Sequence, residues 1–260
     1  VEVFFNQFSR RPDGAVILFH DRFNAHIGIG SQTHVHIKHG TFGRPVAAQR
    51  IVVKSLHAVG SSSYEKLERC NAFGQMVKFK EDGKARHIGM SFHDTPEVLD
   101  KVLTEHPELE IVQIQFNYLD YNDASVQSRL CLETCQKHGK AVLIMEPVKG
   151  GALANLPEDA RVPLDELGDG NSSASYAIRY AASFPEVFMV LSGMGSMDMM
   201  NDNISYMKDF KPLNVYELEA IHKVIEIFKE QKTIQCTACR YCMPCPAGVD
   251  IPRAFAIDNE

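Results

Sequence analysis

From Ile51 onward, short and nearly all-apolar runs alternate with amphipathic stretches. "IVVKSLHA" reads as a strand and "SSYEKLERCNAFGQMVKFKEDGKA" as one helix. "HIGMSF" is a strand, and "TPEVLDKVLTEH" a helix with Thr95 as N-cap and Pro96 at its first position. The strand "IVQIQFNYL" is followed by the helix "SVQSRLCLETCQKHGK", closed by Gly139, and then by the strand "AVLIMEP". After a loop containing Pro and Gly come the helix "SASYAIRYAASF", the strand "VFMVLSG", a helix around "MDMMNDNISYMKD" and a longer one, "NVYELEAIHKVIEIFKEQ". Strands this apolar are buried on both faces, so successive strand–helix units imply a parallel sheet covered by helices. A doubly wound sheet and a (β/α)8 TIM-type barrel both satisfy that pattern. The doubly wound dinucleotide fold would open on G-x-G-x-x-G, which is absent, so the barrel is the better reading.

Residues 1–54 differ in character. They carry His26, His34, His36 and His39 with several glycines and little helical periodicity. "HVHIKHG" is consistent with a strand of alternating histidines, and such alternation can build a metal site. With no acidic or Cys partners beside them, the better reading is a solvated His-rich segment. The expected organisation is an atypical segment over 1–54, a partial barrel over 55–212, and a helix with a cysteine motif over 213–260.

At 260 residues the chain can bury a sizeable core, and its net charge of −6 comes with Lys and Arg scattered along it. That excludes a nucleic-acid footprint or a basic membrane-surface patch. No apolar run approaches the roughly 20 residues of a membrane span. Arg10, Arg11 and Asp13 interrupt the first apolar stretch, which is therefore no signal peptide. Seven cysteines, an odd number with four clustered, do not form a secreted disulfide framework and point to a reducing cytoplasm.

The cluster is "CTACRYCMPCP": Cys236, Cys239, Cys242 and Cys245 are each separated by two residues, and Pro246 follows the last. Structural zinc also takes four thiolates, but normally from two C-x2-C pairs with a loop between them. A cubane iron–sulfur cluster can be wrapped by one short run ending in Cys-Pro, so a 4Fe-4S cluster is the expected metal centre, ahead of zinc and of an inert tail. Bacterial ferredoxin runs place three residues before the last cysteine, and here only Met243 and Pro244 intervene. By spacing alone the four thiols can form one complete cage, but in two-cluster ferredoxins the last cysteine ligates the other cluster, so Cys245 has two possible assignments. Cys70, Cys131 and Cys135, on predicted helices, read as small buried hydrophobes.

"GKARHIGMSFHDTPEVLD", "VQIQFNYLD", "VLIMEPVKGGALA", "VLSGMGSMDMMNDNISYMKDFKPLN" and "CTACRYCMPCP", taken in order, resemble the bacterial aldo/keto reductases with a C-terminal ferredoxin-type extension. The likeness runs from about His57 to the end, about four-fifths of the chain. It implies a barrel binding NADP or NAD at the C-terminal ends of its strands, where barrel active sites sit. By resemblance, His57 ends the fourth strand and hydrogen-bonds the substrate carbonyl, while Ser91 and Gln113 hold the nicotinamide carboxamide. Met145 stands where many members stack an aromatic ring on the nicotinamide. Ser192, Gly193, Gly195 and Ser196 let backbone amides approach a phosphate at a helix start. Asn203 matches an adenine-side asparagine. No Lys or Arg lies between Leu191 and Asn203, so NADP over NAD is inherited from the family.

Hydride transfer to a carbonyl also needs a proton donor, and a phenol is competent only with a depressed pKa. The family's Asp, Tyr and Lys for this task lie upstream of the histidine, and residues 1–56 match none of them. Lys54 lies within the His57 strand, so it is not the strand-three lysine. Three βα units and a fourth strand need on the order of 100 residues, and 56 precede His57. An incomplete barrel with strands four to eight recognisable is therefore expected, with catalysis impaired. A reading-frame change or gene-model boundary near Ser55 would explain the change in character and the start at Val1. The alternative is a non-catalytic iron–sulfur protein for electron transfer or docking on a degenerate barrel. The expected partners are a small carbonyl substrate and a redox partner protein, with neither nucleic acid nor membrane.

Overall fold

The computed structural model describes residues 2–4, 16–20, 32–36, 51–230, 236 and 242–258. The chain divides into two compact units, Val1–Pro147 with Ile178–Pro212, and Val148–Ala177 with Leu213–Glu260.

The first unit is built on one eight-stranded sheet. Its strands are β1 (Glu2–Phe4), β2 (Val16–His20), β3 (Gln32–His36), β4 (Ile51–Val59), β5 (His87–Phe92), β6 (Ile111–Gln115), β7 (Ala141–Met145) and β8 (Val187–Gly193). The order across the sheet is β1-β3-β4-β5-β6-β7-β8-β2. From β4 to β8 every neighbouring pair is parallel and consecutive in sequence. This is the strand series expected from the alternating pattern. In the N-terminal segment β3 runs antiparallel to β4, with Gln32 opposite Lys54, and β2 lies parallel to β8. His34 and His36 fall on β3, whereas His26 and His39 lie outside the described residues.

Helices α1 (Ser61–Arg69), α2 (Ala72–Glu81), α3 (Pro96–Glu105), α4 (Ser128–Lys137) and α7 (Met197–Met207) alternate with these strands. The period-2 pleat sorts their residues between two faces. On β6 and β7, Val112, Ile114, Val142 and Ile144 are buried, whereas Gln113, Gln115, Leu143 and Met145 are half-buried. On the helix-covered side, Met76 of α2 packs with Ala85 and Ile88, joined by Leu56, Val77 and Phe79. α3 contributes Leu99, Val102 and Leu103, each at most 1% exposed, and burying each such side chain stabilises by about 1.5–3 kcal/mol.

One expected helix is in fact two. Asn71, with φ of 51°, breaks the run between α1 and α2. Asparagine tolerates this left-handed conformation far better than most residues. Gly74 leaves room for its side chain, since a Cβ there would lie 2.3 Å from Asn71 Oδ1. As a consequence Cys70, at the end of α1, is exposed, not buried as its expected helical position suggested. Thr95 and Pro96 start α3 as expected, and Gly139 follows α4 with φ of 63°.

In the second unit, α5 (Glu158–Asp165) lies in a stretch whose prolines read as loop. Pro157 precedes its first turn, Glu158 and Asp159 face the helix dipole favourably, and Ala160, Pro163 and Leu164 are buried. This unit also contains α8 (Val215–Glu230), which packs on α5, and α9 (Ile251–Asp258). α6 (Ser173–Ala182) contributes residues to both units. Among the described residues no helix is long and apolar enough to cross a membrane.

Glu110, just before β6, makes this sheet acid-sensitive. Its carboxylate accepts from the Ile88 amide at 3.2 Å and pairs with Lys80 at 2.9 Å. Burial alone would raise its pKa, but hydrogen bonds from Lys80, Ile88 and His87 outweigh it and hold the group below the ordinary glutamate range. A depressed carboxyl stabilises the fold above its unfolded-state pKa, and that contribution disappears as pH falls through the folded-state value. The melting temperature should therefore drop as pH is lowered below about 4.5. Glu110→Gln should flatten that dependence in thermal melts taken across the acid range.

Candidate active site

The C-terminal rim of β4–β7 carries the first four expected site residues. β4 does not reach it as a regular strand. Leu56 pairs with Met90 and Val59 with Phe92, so β4 spends one residue more than β5 over the interval. The bulge holds Ala58 at φ of 52°, which a residue with a Cβ rarely adopts. Its amide donates to Ser91 Oγ at 2.8 Å, and its carbonyl accepts from the Ser63 hydroxyl at 2.9 Å. The following turn is fastened to the end of β5 as well. The His93 amide donates to the Val59 carbonyl at 3.3 Å, and the Ser61 amide to Asp94 Oδ2 at 2.7 Å. Burial opposes ionisation of Asp94, but the hydrogen bonds from Ser61 and Thr95 prevail and keep its pKa below the usual range. His57 is exposed at this rim, and Ser91, 3% exposed, lies beneath the bulge. His93 is the second imidazole here; burial, and then the proximity of His57, lower its pKa and favour its neutral form.

Lys54 belongs to the opposite face. It is 8% exposed, and its ammonium lies 5.0 Å from the centre of the Phe79 ring on α2. Alternation along β4 therefore turns it away from the side that carries Ser55 and His57.

Gln113 and Met145 meet across β6 and β7, where Gln113 Nε2 donates to Met145 Sδ at 3.3 Å. Both are half-buried. Beyond them lies a polar knot that sequence reasoning missed. Asn117, fully buried, donates to Asp120 Oδ2 at 2.7 Å and to the Glu146 carbonyl at 3.0 Å. Its Oδ1 accepts from the amides of Leu119 and Asp120. Gln115 Nε2 also donates to Asp120, at 2.8 Å. The available signal was "NYLD" directly after an apolar strand, because Asn and Asp there favour side-chain-to-backbone turns.

At the end of β8, Ser192 is 4% exposed and accepts from Asn203 Nδ2 at 2.8 Å. Asn203, also 4% exposed, accepts the Tyr206 hydroxyl at its other end. Its carboxamide thus joins α7 to β8. Gly193 and Gly195 have open space where a Cβ would stand. Ser196 caps α7, accepting from the Met199 amide at 3.2 Å. Asp198 occupies the first turn, and Met197 and Met199 are exposed.

A cavity of about 300 Å³ lies at the ends of β5 and β6, lined by Phe92, His93, Thr95, Gln115 and Cys131 among others. Cys131 and Cys135 are buried as expected. Burial, with Glu97 and Asp94 nearby, pushes the Cys131 thiol up to about 11, which leaves it unreactive at neutral pH.

In the cysteine motif, Cys236 and Cys242 are exposed, Cys245 is half-buried, and none of the three is in a disulfide. The Cys245 carbonyl accepts from the Gly248 amide at 2.9 Å, and the Met243–Pro244 peptide is cis. Cys239 lies outside the described residues, as do 237–241. Thiols outside any disulfide and reached by solvent suit thiolate ligation in kind. Among the described residues, however, no three His, Cys, Asp or Glu side chains are grouped to hold a metal.

Five consecutive parallel strands covered by helices, with His57, Ser91, Gln113 and Met145 along one rim, define an α/β protein whose parallel sheet is consistent with a β/α barrel. The chain belongs to the aldo/keto reductase family, whose model matches residues 49–226. Three solved structures illustrate the likeness. The aldo-keto reductase of Bacillus halodurans in its holo form is 20% identical with a TM-score of 0.52, over 66% of this chain and 60% of that one. An aldo/keto reductase from Klebsiella pneumoniae in complex with NADP and acetate is 19% identical, TM-score 0.51, over 66% and 58%. The glycerol dehydrogenase of Gluconobacter oxydans is 17% identical, TM-score 0.51, over 67% and 58%. At these identities the likeness concerns the fold, and the chain spans about three-fifths of the length of these structures. No curated protein matches the sequence significantly.

Proposed function

We propose that this chain is the nicotinamide-binding and carbonyl-binding portion of an aldo/keto reductase-type oxidoreductase, linked to a C-terminal 4Fe-4S cluster. The observation that carries the reading is the convergence of His57, Ser91, Gln113 and Met145 on the C-terminal rim of four consecutive parallel strands. NADP or NAD supplies hydride when bound. Ser91 and Gln113 would hold its carboxamide and Met145 would cover the ring. The Ser192–Ser196 turn at the start of α7 would receive the phosphates. His57 would hydrogen-bond the oxygen of a small carbonyl substrate and resist its drift as charge develops there. Cys236, Cys239 and Cys242, with Cys245 as the fourth thiol, would ligate the cluster, whose redox partner would be another cytoplasmic protein.

The absence of the family's Asp, Tyr and Lys from residues 1–56 favours a second reading, a non-catalytic iron–sulfur protein on the same scaffold. Saturable NADPH or NADH binding in calorimetry is the expected result, and its absence would rule out the first reading. If carbonyl reduction is present, His57→Gln should lower kcat/KM about a hundred-fold. After anaerobic purification, a brown protein with equal iron and sulfide, bleached by dithionite, is expected. Cys242→Ser should remove most of that iron, whereas zinc without sulfide would overturn the cluster.

A further inference from the structure

We propose that Ser63, on α1, is a positioning residue for His57, acting through the left-handed bulge at Ala58; this rests on the role given to His57 above. A β-bulge re-aims the side chains beside it, because the extra residue bends the strand and increases its local twist. At the end of β4 the extra length falls between Leu56 and Val59, the interval that contains His57. The bulge is costly by itself, since Ala58 has a Cβ and stands at φ of 52°. Such a conformation persists only where surrounding bonds over-determine it.

Two side chains supply those bonds, and they come from different elements. Ser91, on β5, accepts the Ala58 amide at 2.8 Å. Ser63, in the first turn of α1, donates to the Ala58 carbonyl at 2.9 Å, the nearer of two acceptors beside the Gly60 carbonyl at 3.1 Å, and accepts the Gly60 amide at 3.1 Å. Both backbone polar groups of the strained residue are therefore held by serine hydroxyls. Ser91 cannot replace Ser63, because one grips the amide and the other the carbonyl on opposite sides of Ala58. The bonds from His93 to Val59 and from Ser61 to Asp94 fix the turn beyond the bulge. They leave the orientation of the Ala58 carbonyl, and so the peptide plane following it, to Ser63. His57 itself is exposed, so the backbone beneath it weighs heavily in setting its aim.

The test reads the imidazole directly by NMR of ring-labelled histidine in the full chain, alongside carbonyl reduction and NADPH binding. Ser63→Ala should displace or broaden the His57 ring signals and lower kcat/KM about ten-fold to a hundred-fold, with NADPH affinity nearly unchanged. Ser63→Thr, which restores a hydroxyl, should return the His57 signals toward their original positions. Unmoved His57 signals in a folded Ser63→Ala chain would overturn the proposal. Should Ser63→Ala not fold, Ala58→Val serves instead, because a β-branched residue cannot readily hold the left-handed bulge. Displaced His57 signals in that variant support the proposal, and unchanged ones overturn it. If the unaltered chain reduces no carbonyl, the assigned reaction fails, while the ring signals still decide whether Ser63 positions His57.

Discussion

Gly89→Ala is expected to cost about 3 kcal/mol or more, lowering the melting temperature by about 6–12 °C. Gly89 lies on β5 directly opposite Ile111 of β6. A Cβ added there would stand 2.3 Å from the Ile111 carbonyl oxygen and 3.0 Å from its Cβ. A flexible side chain could turn aside, but a ladder carbonyl cannot move without parting the strands. Because β5 carries Ser91 and β6 carries Gln113, the loss should extend to the rim. Thermal and urea unfolding of the variant check this, and an unchanged midpoint would show that the two strands are not so closely paired.

The second large effect is expected from the knot that joins β6 to the end of β7. Asn117→Ala removes a buried side chain engaged in four hydrogen bonds and leaves the Asp120 carboxylate and the Glu146 carbonyl without its amide. A cost of about 3 kcal/mol follows from losing four bonds in a buried site, two of them accepted from the Leu119 and Asp120 amides, while Asp120 keeps its bond from Gln115. Asn117→Asp is the sharper probe. It keeps the shape but puts a second carboxylate against Asp120, only 1% exposed, in place of a donor at 2.7 Å. That variant should be at least as unstable as Asn117→Ala near neutral pH and should recover as pH is lowered, because a proton shared by the pair removes the like charge. Chemical unfolding at two pH values separates the cases. Equal stability of Asn117→Asp at both would mean the two side chains do not face each other.

Much of the architecture could be read from residue order. Apolar runs such as "IVQIQ" and "AVLIM" bury one face under helices, and a period of two identifies which residues turn the other way. Thr95 with Pro96, and Gly139, marked helix ends because their backbone preferences are local. Less local features did not show. The break at Asn71 depends on Gly74 leaving room for its side chain, and α5 forms despite its prolines because Ala160 and Leu164 find a core. Cys131 and Cys135 behaved as small buried hydrophobes, whereas Cys70 is exposed at a helix end.

The sequence by itself determined the strand–helix series and the residue types at the strand ends, since both follow from short-range periodicity and the order of segments. Only the tertiary structure decided what those residues do to one another. Asn203, expected beside a nucleotide, has its carboxamide engaged by Ser192 and Tyr206. Ala58 is an ordinary alanine in the sequence, yet its left-handed turn beneath His57 is held by hydroxyls 33 positions after it, on β5, and five after it, on α1. The physical reason is that a strained backbone conformation has no local signature: the bonds that sustain it come from elements brought together only when the sheet forms.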